Sequence, residues 1–423
     1  MGDYMVKIAK LLLESKPVIF YTVGSGTFEC IRVLKVKYGL LPTAICDRDS
    51  KKQGNTYRGL EGLIVVPPES AMVDYPGAYW FIPSLDYRFQ IIAYLTENLG
   101  IPSDHIINYT PVHKVKSCLF LQKALIYDRT GDLRFCWRTP CPALSSTDGI
   151  DGKKFRALRD GLIESIQTGG VVVDPACANC PQICEDYYPE ESKAWSVNYF
   201  CNSVCNYNCS YCTIGGAPPN DSEYGRRTLG EVITAFKEAK LLDPDYSVVL
   251  STAGEPLLHP RRKEFYQAFD GAEFVVNTNG SIYDPDLFEM MTQKQVLLIT
   301  SVDAGTRETY RKIKGIDGFS RIRNNLSRYA QATMGIVALK YLFVPGVNDF
   351  RADIDGFVEL CMDIGAMFVI VSIDYFSISN ITEHTKNMVQ RLRTALAEKH
   401  ILCVPYTAWE TNEYNKMMRE LFE

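Results

Sequence analysis

The chain has 423 residues, 46% hydrophobic and 22% charged, a composition that builds folded cores, enough here for two or three domains, and excludes a disordered chain. Its formal net charge is −5 with no basic block, which argues against a nucleic-acid partner, whose binding rests on Lys and Arg. No apolar run reaches membrane-spanning length and no signal peptide precedes the first strand, so fourteen cysteines point to metal rather than to a disulfide framework.

Residues 1–115 read as a small parallel α/β domain. The apolar run 17–23 is a buried parallel strand. It leads into Gly24-Ser25-Gly26 and a helix carrying Ile31 and Leu34. Further strands are expected at 43–46, 62–66 and 78–82, and a helix at 86–98. A glycine turn after the first strand, with Asp47 about twenty residues on, resembles the Rossmann dinucleotide fingerprint. The third glycine position is Glu29, whose charge opposes pyrophosphate at a helix N-terminus. Two readings stay open, a nucleotide or nucleotide-sugar site and a purely structural Rossmann-like module.

Residues 116–194 are rich in cysteine. A glycine turn and short strand end at Cys136, and Cys141 follows. A helix over 152–168 shows Phe155, Leu158, Leu162 and Ile166 on one face, and Gly169-Gly170 ends it. Then come Cys177, Cys180 and Cys184. A C-x2-C turn lets two sulfurs face one metal, either an iron–sulfur cluster or a zinc ribbon. Cys30, Cys46, Cys118, Cys361 and Cys403 stand alone among apolar neighbours and read as buried small hydrophobes.

Residues 195–380 alternate strands and helices. Strands are expected at 195–200, 246–251, 273–277, 296–302, 336–343 and 368–374, and a capping box Thr228/Glu231 opens one of the helices. Directly after the first of these strands stand Cys205, Cys209 and Cys212, with Tyr211 before the last. Three thiolates on a four-iron cubane leave one iron open to a ligand. A zinc knot is the alternative, with Cys201 as its fourth ligand. Each later strand end carries polar residues that strand formation does not need: Gly254-Glu255-Pro256, then Asn277-Thr278-Asn279-Gly280, then Ser301 and Asp303. Alternation puts Ser301 and Asp303 on one side. Lys340 lies in the fifth strand, pointing inward or snorkelling outward. Residues 381–423 add a helix, an edge strand at 401–404, and an aromatic tail that either closes the mouth of the site or packs.

The spacing C-x3-C-x2-C, followed in order by Gly-Glu-Pro, Asn-x-Asn-Gly and Ser-x-Asp at strand ends, resembles the radical-SAM superfamily. That resemblance implies a partial (β/α)6 TIM-type barrel and a [4Fe-4S] cluster held by Cys205, Cys209 and Cys212. It also implies S-adenosylmethionine (SAM) on the open iron, contacted by Tyr211, Gly254, Glu255, Pro256, Asn279, Ser301, Asp303 and Lys340. The cysteine-rich segment resembles the SPASM/Twitch auxiliary-cluster domains of that superfamily, implying one auxiliary [4Fe-4S] cluster on four of Cys136, Cys141, Cys177, Cys180 and Cys184. In the family this domain usually follows the barrel, whereas here it precedes it. The fold class expected is thus α/β, with a Rossmann-like domain (1–115), an auxiliary domain (116–194), the barrel (195–380) and an extension (381–423).

The chemistry implied is reductive cleavage of SAM to a 5′-deoxyadenosyl radical. Hydrogen is then abstracted from a small polar substrate, sugar or nucleotide-sugar-like, in an oxidation or epimerisation of oxidoreductase type. Peptide maturation is the runner-up, and a non-catalytic iron–sulfur or zinc scaffold is the reading of another class. A flavodoxin- or ferredoxin-type reductant and a reducing, cytoplasmic compartment are expected.

Overall fold

A computed structural model of the chain describes residues 2–128, 131–136, 150–169, 177, 180–200, 204–212, 228–251, 254–271, 273–406 and 412–422. The chain forms two compact units. One comprises residues 1–199, 225–249 and 267–274, the other 200–224, 250–266 and 275–423. This division differs from the four segments read along the sequence.

In the first unit, β1 (Val18–Tyr21), β2 (Ala44–Cys46), β3 (Val65–Val66) and β4 (Tyr79–Phe81) form a sheet in the order β3-β2-β1-β4. All three pairings are parallel. Every residue of β1 is buried, as a parallel strand covered on both faces requires. The third expected strand shrinks to two residues, because a turn bond from Leu63 N to Leu60 O (3.0 Å) holds the chain just before it. The sheet's core joins Ile19, Tyr21, Trp80, Phe89 and Ile106 to Trp195. Phe89 meets Trp195 edge-on at 5.1 Å, so residues from both sides of position 116 share one core. Burying each such side chain contributes about 1.5–3 kcal/mol.

The glycine turn is explained by packing. A Cβ on Gly26 would lie 2.4 Å from the Pro83 carbonyl oxygen, so only glycine lets the helix Ser25–Val33 approach that loop. Asp47, the acid of the expected fingerprint, is committed to the loop itself. Its carboxylate accepts from Val23 N (2.8 Å), Asp49 N (2.9 Å) and Lys52 Nζ (3.0 Å).

The same unit holds β5 (Val112–Cys118), β6 (Ala124–Tyr127), β7 (Leu133–Arg134), β8 (Ile183–Pro189) and β9 (Ala194–Phe200). β5 and β8 form an antiparallel ribbon, β6 and β7 pair antiparallel, and β6 runs parallel to β9. The cysteine-rich segment therefore supplies a neighbour to the first expected barrel strand, which local pattern did not show. The capping box at Thr228/Glu231 forms as expected and opens the helix Leu229–Glu238. Cys141 lies outside the described residues, as do Cys201 and residues 407–411 of the aromatic tail.

Two strands, β10 (Leu242–Ser251) and β11 (Glu273–Thr278), cross the division between the units. In the second unit β12 (Val296–Ser301), β13 (Ile336–Phe343), β14 (Phe368–Ile373) and β15 (Leu402–Pro405) stand side by side, each parallel to the next. Helices Arg307–Lys314, Phe319–Tyr329 and Arg351–Ile364 alternate with them, the succession of a partial (β/α) barrel. β13 shows how its faces divide. Tyr341 packs edge-on against Phe357 of the helix Arg351–Ile364, 4.7 Å away. The period of two then turns Lys340 and Leu342 to the other face, away from the helix layer.

Candidate radical SAM site

The three-cysteine loop is held from two sides, and every contact described here lies within the second unit. On the Cys205 side the anchor is Glu255, which is 1% exposed. Its Oε1 accepts from Thr278 Oγ1 (2.7 Å) and Leu257 N (3.1 Å), and its Oε2 from Asn279 N (2.7 Å). The Glu255 amide donates to Val204 O at 2.8 Å, so the segment entering the loop is tied to the Gly-Glu-Pro turn. Gly254 precedes Glu255, and Pro256 opens the short turn Pro256–Leu258. Burial pushes the Glu255 carboxyl up to about 7 against the pull of its three donors.

Asn279, thus positioned, directs Nδ2 to Asn206 Oδ1 (2.9 Å) and towards Cys205 Sγ (3.8 Å). Tyr207 N also faces that sulfur at 3.5 Å. Donors aimed at a sulfur favour its thiolate, the form that binds metal. They oppose the burial that otherwise raises the Cys205 thiol. His259, in the same turn, is buried and pushed down to about 4. Its Nδ1 accepts from Arg261 N, so it is a neutral structural imidazole.

On the Cys209 side the loop rests on a helix end. The last carbonyls of Arg307–Lys314 lack intrahelical partners, and Ser210 N takes Ile313 O (2.8 Å) while Asn208 N takes Lys314 O (3.3 Å). Gly315 follows with φ +69°, and a Cβ there would sit 2.6 Å from Asn208 O. A glycine is needed both for the left-handed turn and for the contact.

Side chains close the same junction. Tyr211 donates to Asp303 Oδ2 (2.6 Å), and Lys314 Nζ donates to that oxygen (2.5 Å) and to the Tyr211 hydroxyl (2.7 Å). Asp303 and Lys314 are 0% and 2% exposed. Asp303 Oδ1 accepts from Leu342 N (2.7 Å). Both oxygens of Asp303 thus have protein partners. Alternation does not place it beside Ser301 either, because β12 ends at Ser301 and Asp303 has φ +61°. Nor is it a helix cap, since Thr306 caps Arg307–Lys314. Burial, followed by the Asp303 charge, pushes the Tyr211 phenol well up, so it stays a neutral donor. The Lys314 charge opposes the burial that raises the Cys209 thiol.

Ser301 lies directly opposite Lys340 in the β12–β13 register, so the two share the face turned away from the helices. The Lys340 ammonium is 4.2 Å from the centroid of the Tyr406 ring. An aromatic of the C-terminal segment thus covers the charge.

The structure therefore brings Cys205, Cys209, Cys212, Tyr211, Glu255 and Asn279 into one anchored loop region, and pairs Ser301 with Lys340 on one strand face. Sequence reasoning missed Lys314 and Asn206, and gave Thr278 no role of its own within Asn277-Thr278-Asn279-Gly280. A lysine in the last turn of a helix reads as solvated support for the dipole, and nothing local signals its burial. Cys205, Cys209 and Cys212 form no disulfide. Among the described residues no three His, Cys, Asp or Glu side chains converge as a single ion requires. The thiolates of a four-iron cubane bind different irons and have no need to converge on one point. Three free thiols, one of them, Cys205, with two N–H donors aimed at it, suit such a cluster.

Comparison with known proteins reaches the same loop. A model of the radical SAM superfamily matches residues 199–361, a span holding all three cysteines and the Gly-Glu-Pro, Asn-x-Asn-Gly and Ser-x-Asp segments. Those residues form a radical SAM domain. Members of the superfamily use a [4Fe-4S] cluster and SAM. A UPF0026 protein of Helicobacter pylori is 26% identical over 154 residues, covering 34% of this chain and 50% of that one. A probable GTP 3′,8-cyclase of Saccharolobus islandicus is 25% identical over 168 residues, covering 38% and 51%. The chain thus spans about half the length of the curated relatives it matches. Among solved structures, Streptococcus suis SuiB bound to S-adenosylmethionine aligns with a TM-score of 0.40 at 12% identity, over 53% of this chain and 55% of that one. No helix of the described residues is long and apolar enough to cross a membrane.

Proposed function

We propose that this radical SAM domain starts a hydrogen abstraction on a small polar metabolite, sugar or nucleotide-sugar-like, with oxidation or epimerisation as the net outcome. The observation carrying this is the loop of three free thiols, anchored by Asn279 on one side and by Lys314 and Asp303 on the other. When bound there, the cluster supplies the electron that splits the C–S bond of SAM into methionine and a 5′-deoxyadenosyl radical. The chain's own residues do the remaining work. Cys205, Cys209 and Cys212 would hold the cluster, leaving one iron without a protein ligand. Glu255 fixes the Asn279 amide, and Asp303 with Lys314 fixes Tyr211 within the cysteine loop. Ser301 and Lys340 present a hydroxyl and a cation on the inward face, where a carboxylate or phosphate of SAM or substrate finds a charged partner. Cysteines of the 116–194 segment would hold a second iron–sulfur cluster, which would supply an acceptor for the second electron or an anchor for the substrate. A flavodoxin- or ferredoxin-type reductant and a cytoplasmic setting complete the reading.

Cyclisation of a nucleotide is the second reading, favoured by the name of the Saccharolobus relative. The test is anaerobic reconstitution, reduction with dithionite and assay for 5′-deoxyadenosine and methionine with SAM, repeated with deuterated candidate sugars and nucleotides. The wild-type chain is expected to form both products and Cys209→Ala to fall to background. A cluster-loaded wild type that forms neither, or a Cys209→Ala chain that retains activity, overturns the reading.

A further inference from the structure

Five cysteines were candidates for the auxiliary cluster, and Cys118 was not among them. We propose that Cys118, together with Cys136, Cys177 and Cys180, ligates the auxiliary metal centre of the first unit, and that Cys184 does not. The inference deepens the proposed auxiliary cluster and rests on it.

The β5–β8 register carries the argument. Cys118 lies opposite Ile183, and Ser117 opposite Cys184. Side chains directly opposite each other in an antiparallel pair share a face, and successive residues alternate. Cys118 and Cys184 therefore point to opposite faces of the ribbon. Cys184 faces with Tyr188, whose hydroxyl lies 3.7 Å from its sulfur.

Cys118 faces the other way and stands next to the C-x2-C turn. Ile183, its partner, donates to Cys180 O (3.0 Å), Cys180 N donates to Cys177 O (3.1 Å), and Leu119 N donates to Gln182 O (2.8 Å). Those three bonds fold the turn back onto the end of β5. Cys136 arrives from the other side. Arg134 pairs with Ile126, and that register returns the chain towards the start of β6, directly after the short helix Leu119–Lys123 that begins at Cys118.

The surroundings of Cys118 are built for a fixed ligand. The residue is 9% exposed. Arg159, fully buried, donates from Nε to Leu121 O (2.7 Å) and from Nη2 to Gln122 O (3.3 Å) and Ser192 Oγ (2.8 Å). On the ribbon's other face, Gln122 Nε2 donates to Ser117 Oγ (3.0 Å). A buried cation and a buried amide thus lock the turn that presents Cys118, a large polar investment for a residue serving only as a small apolar filler.

The test uses the full chain carrying Cys205→Ala, Cys209→Ala and Cys212→Ala, reconstituted anaerobically and assayed for bound iron and sulfide. About four irons per chain are expected to remain. Adding Cys118→Ala is expected to remove nearly all of them, and adding Cys184→Ala to leave the count unchanged. Iron retained with Cys118→Ala, or lost with Cys184→Ala, overturns the assignment. No iron in the parent triple variant instead overturns the auxiliary cluster itself. Thermal unfolding of the metal-free forms checks that Cys118→Ala folds. If it does not, Cys118→Ser decides, because an oxygen ligand changes the cluster's optical and EPR spectra, and an unchanged spectrum overturns the assignment.

Discussion

Single residues account for much of what the chain does, and Glu29 is the sharpest case. Its side chain is 1% exposed, in a helix whose start resembles a nucleotide loop. It lies against Glu273 of β11. Burial, then the Glu273 charge, pushes the Glu29 carboxyl well above the ordinary range, and burial raises Glu273 as well. A carboxyl raised in this way favours its neutral form, so Glu29 is not the exposed charge its position suggested. The sign of the linkage follows. A carboxyl whose folded pKa is raised is fully accommodated at acidic pH, and its contribution is lost as pH rises from the ordinary carboxylate range through the folded pKa. Glu29→Gln is therefore expected to raise Tm by several degrees at pH 8 and to change it little at pH 5. Calorimetry at the two pH values checks this, and an equal shift at both would contradict the raised carboxyl.

At the scale of elements, the cluster loop shows what sequence reveals and what it hides. The cysteine spacing and the Gly-Glu-Pro and Asn-x-Asn-Gly turns were legible because each is local, a few residues at a strand end. The clamp was not. Lys314 is brought to Asp303 and Tyr211 by a helix end, and only the folded chain sets those three together. Removing one member of a buried ion pair leaves the other charge without a partner and costs about 3–5 kcal/mol. Lys314→Met is expected to destabilise the chain by roughly that much. It is also expected to shift the reduction potential of the Cys205/Cys209/Cys212 cluster downward, since a fixed positive charge near Cys209 is lost. Urea unfolding and an EPR-monitored redox titration read the two effects. An unchanged potential would leave Lys314 with a purely structural role. Asp303 was misplaced for a related reason. Period-two reasoning holds only while the strand lasts, and β12 stops two residues earlier.

For the molecule as a whole, the α/β class and the order of the strands could be read from apolar runs and their spacing. The partnership of segments could not. Trp195 and Phe89 are 106 positions apart and share one core, and β6 runs beside β9. Both follow from long-range packing to which local periodicity is blind. A chain starting at residue 116 would expose the Trp195 face and strip Glu273 of its partner. It is expected to be recovered mainly as aggregate, as soluble yield and size-exclusion profiles will show, whereas a well-behaved monomer would mean that residues 1–115 are separable.

The seat of the cluster loop on the carbonyls of Ile313 and Lys314 has one more consequence. Each residue added to or removed from a helix turns its end by about 100° and moves it by about 1.5 Å. Those two acceptors would then face elsewhere, and Asn208 and Ser210 would lose them. The length of the helix Arg307–Lys314 is consequently under the same constraint as the spacing between the cysteines, although the two stretches lie about a hundred positions apart and share no motif.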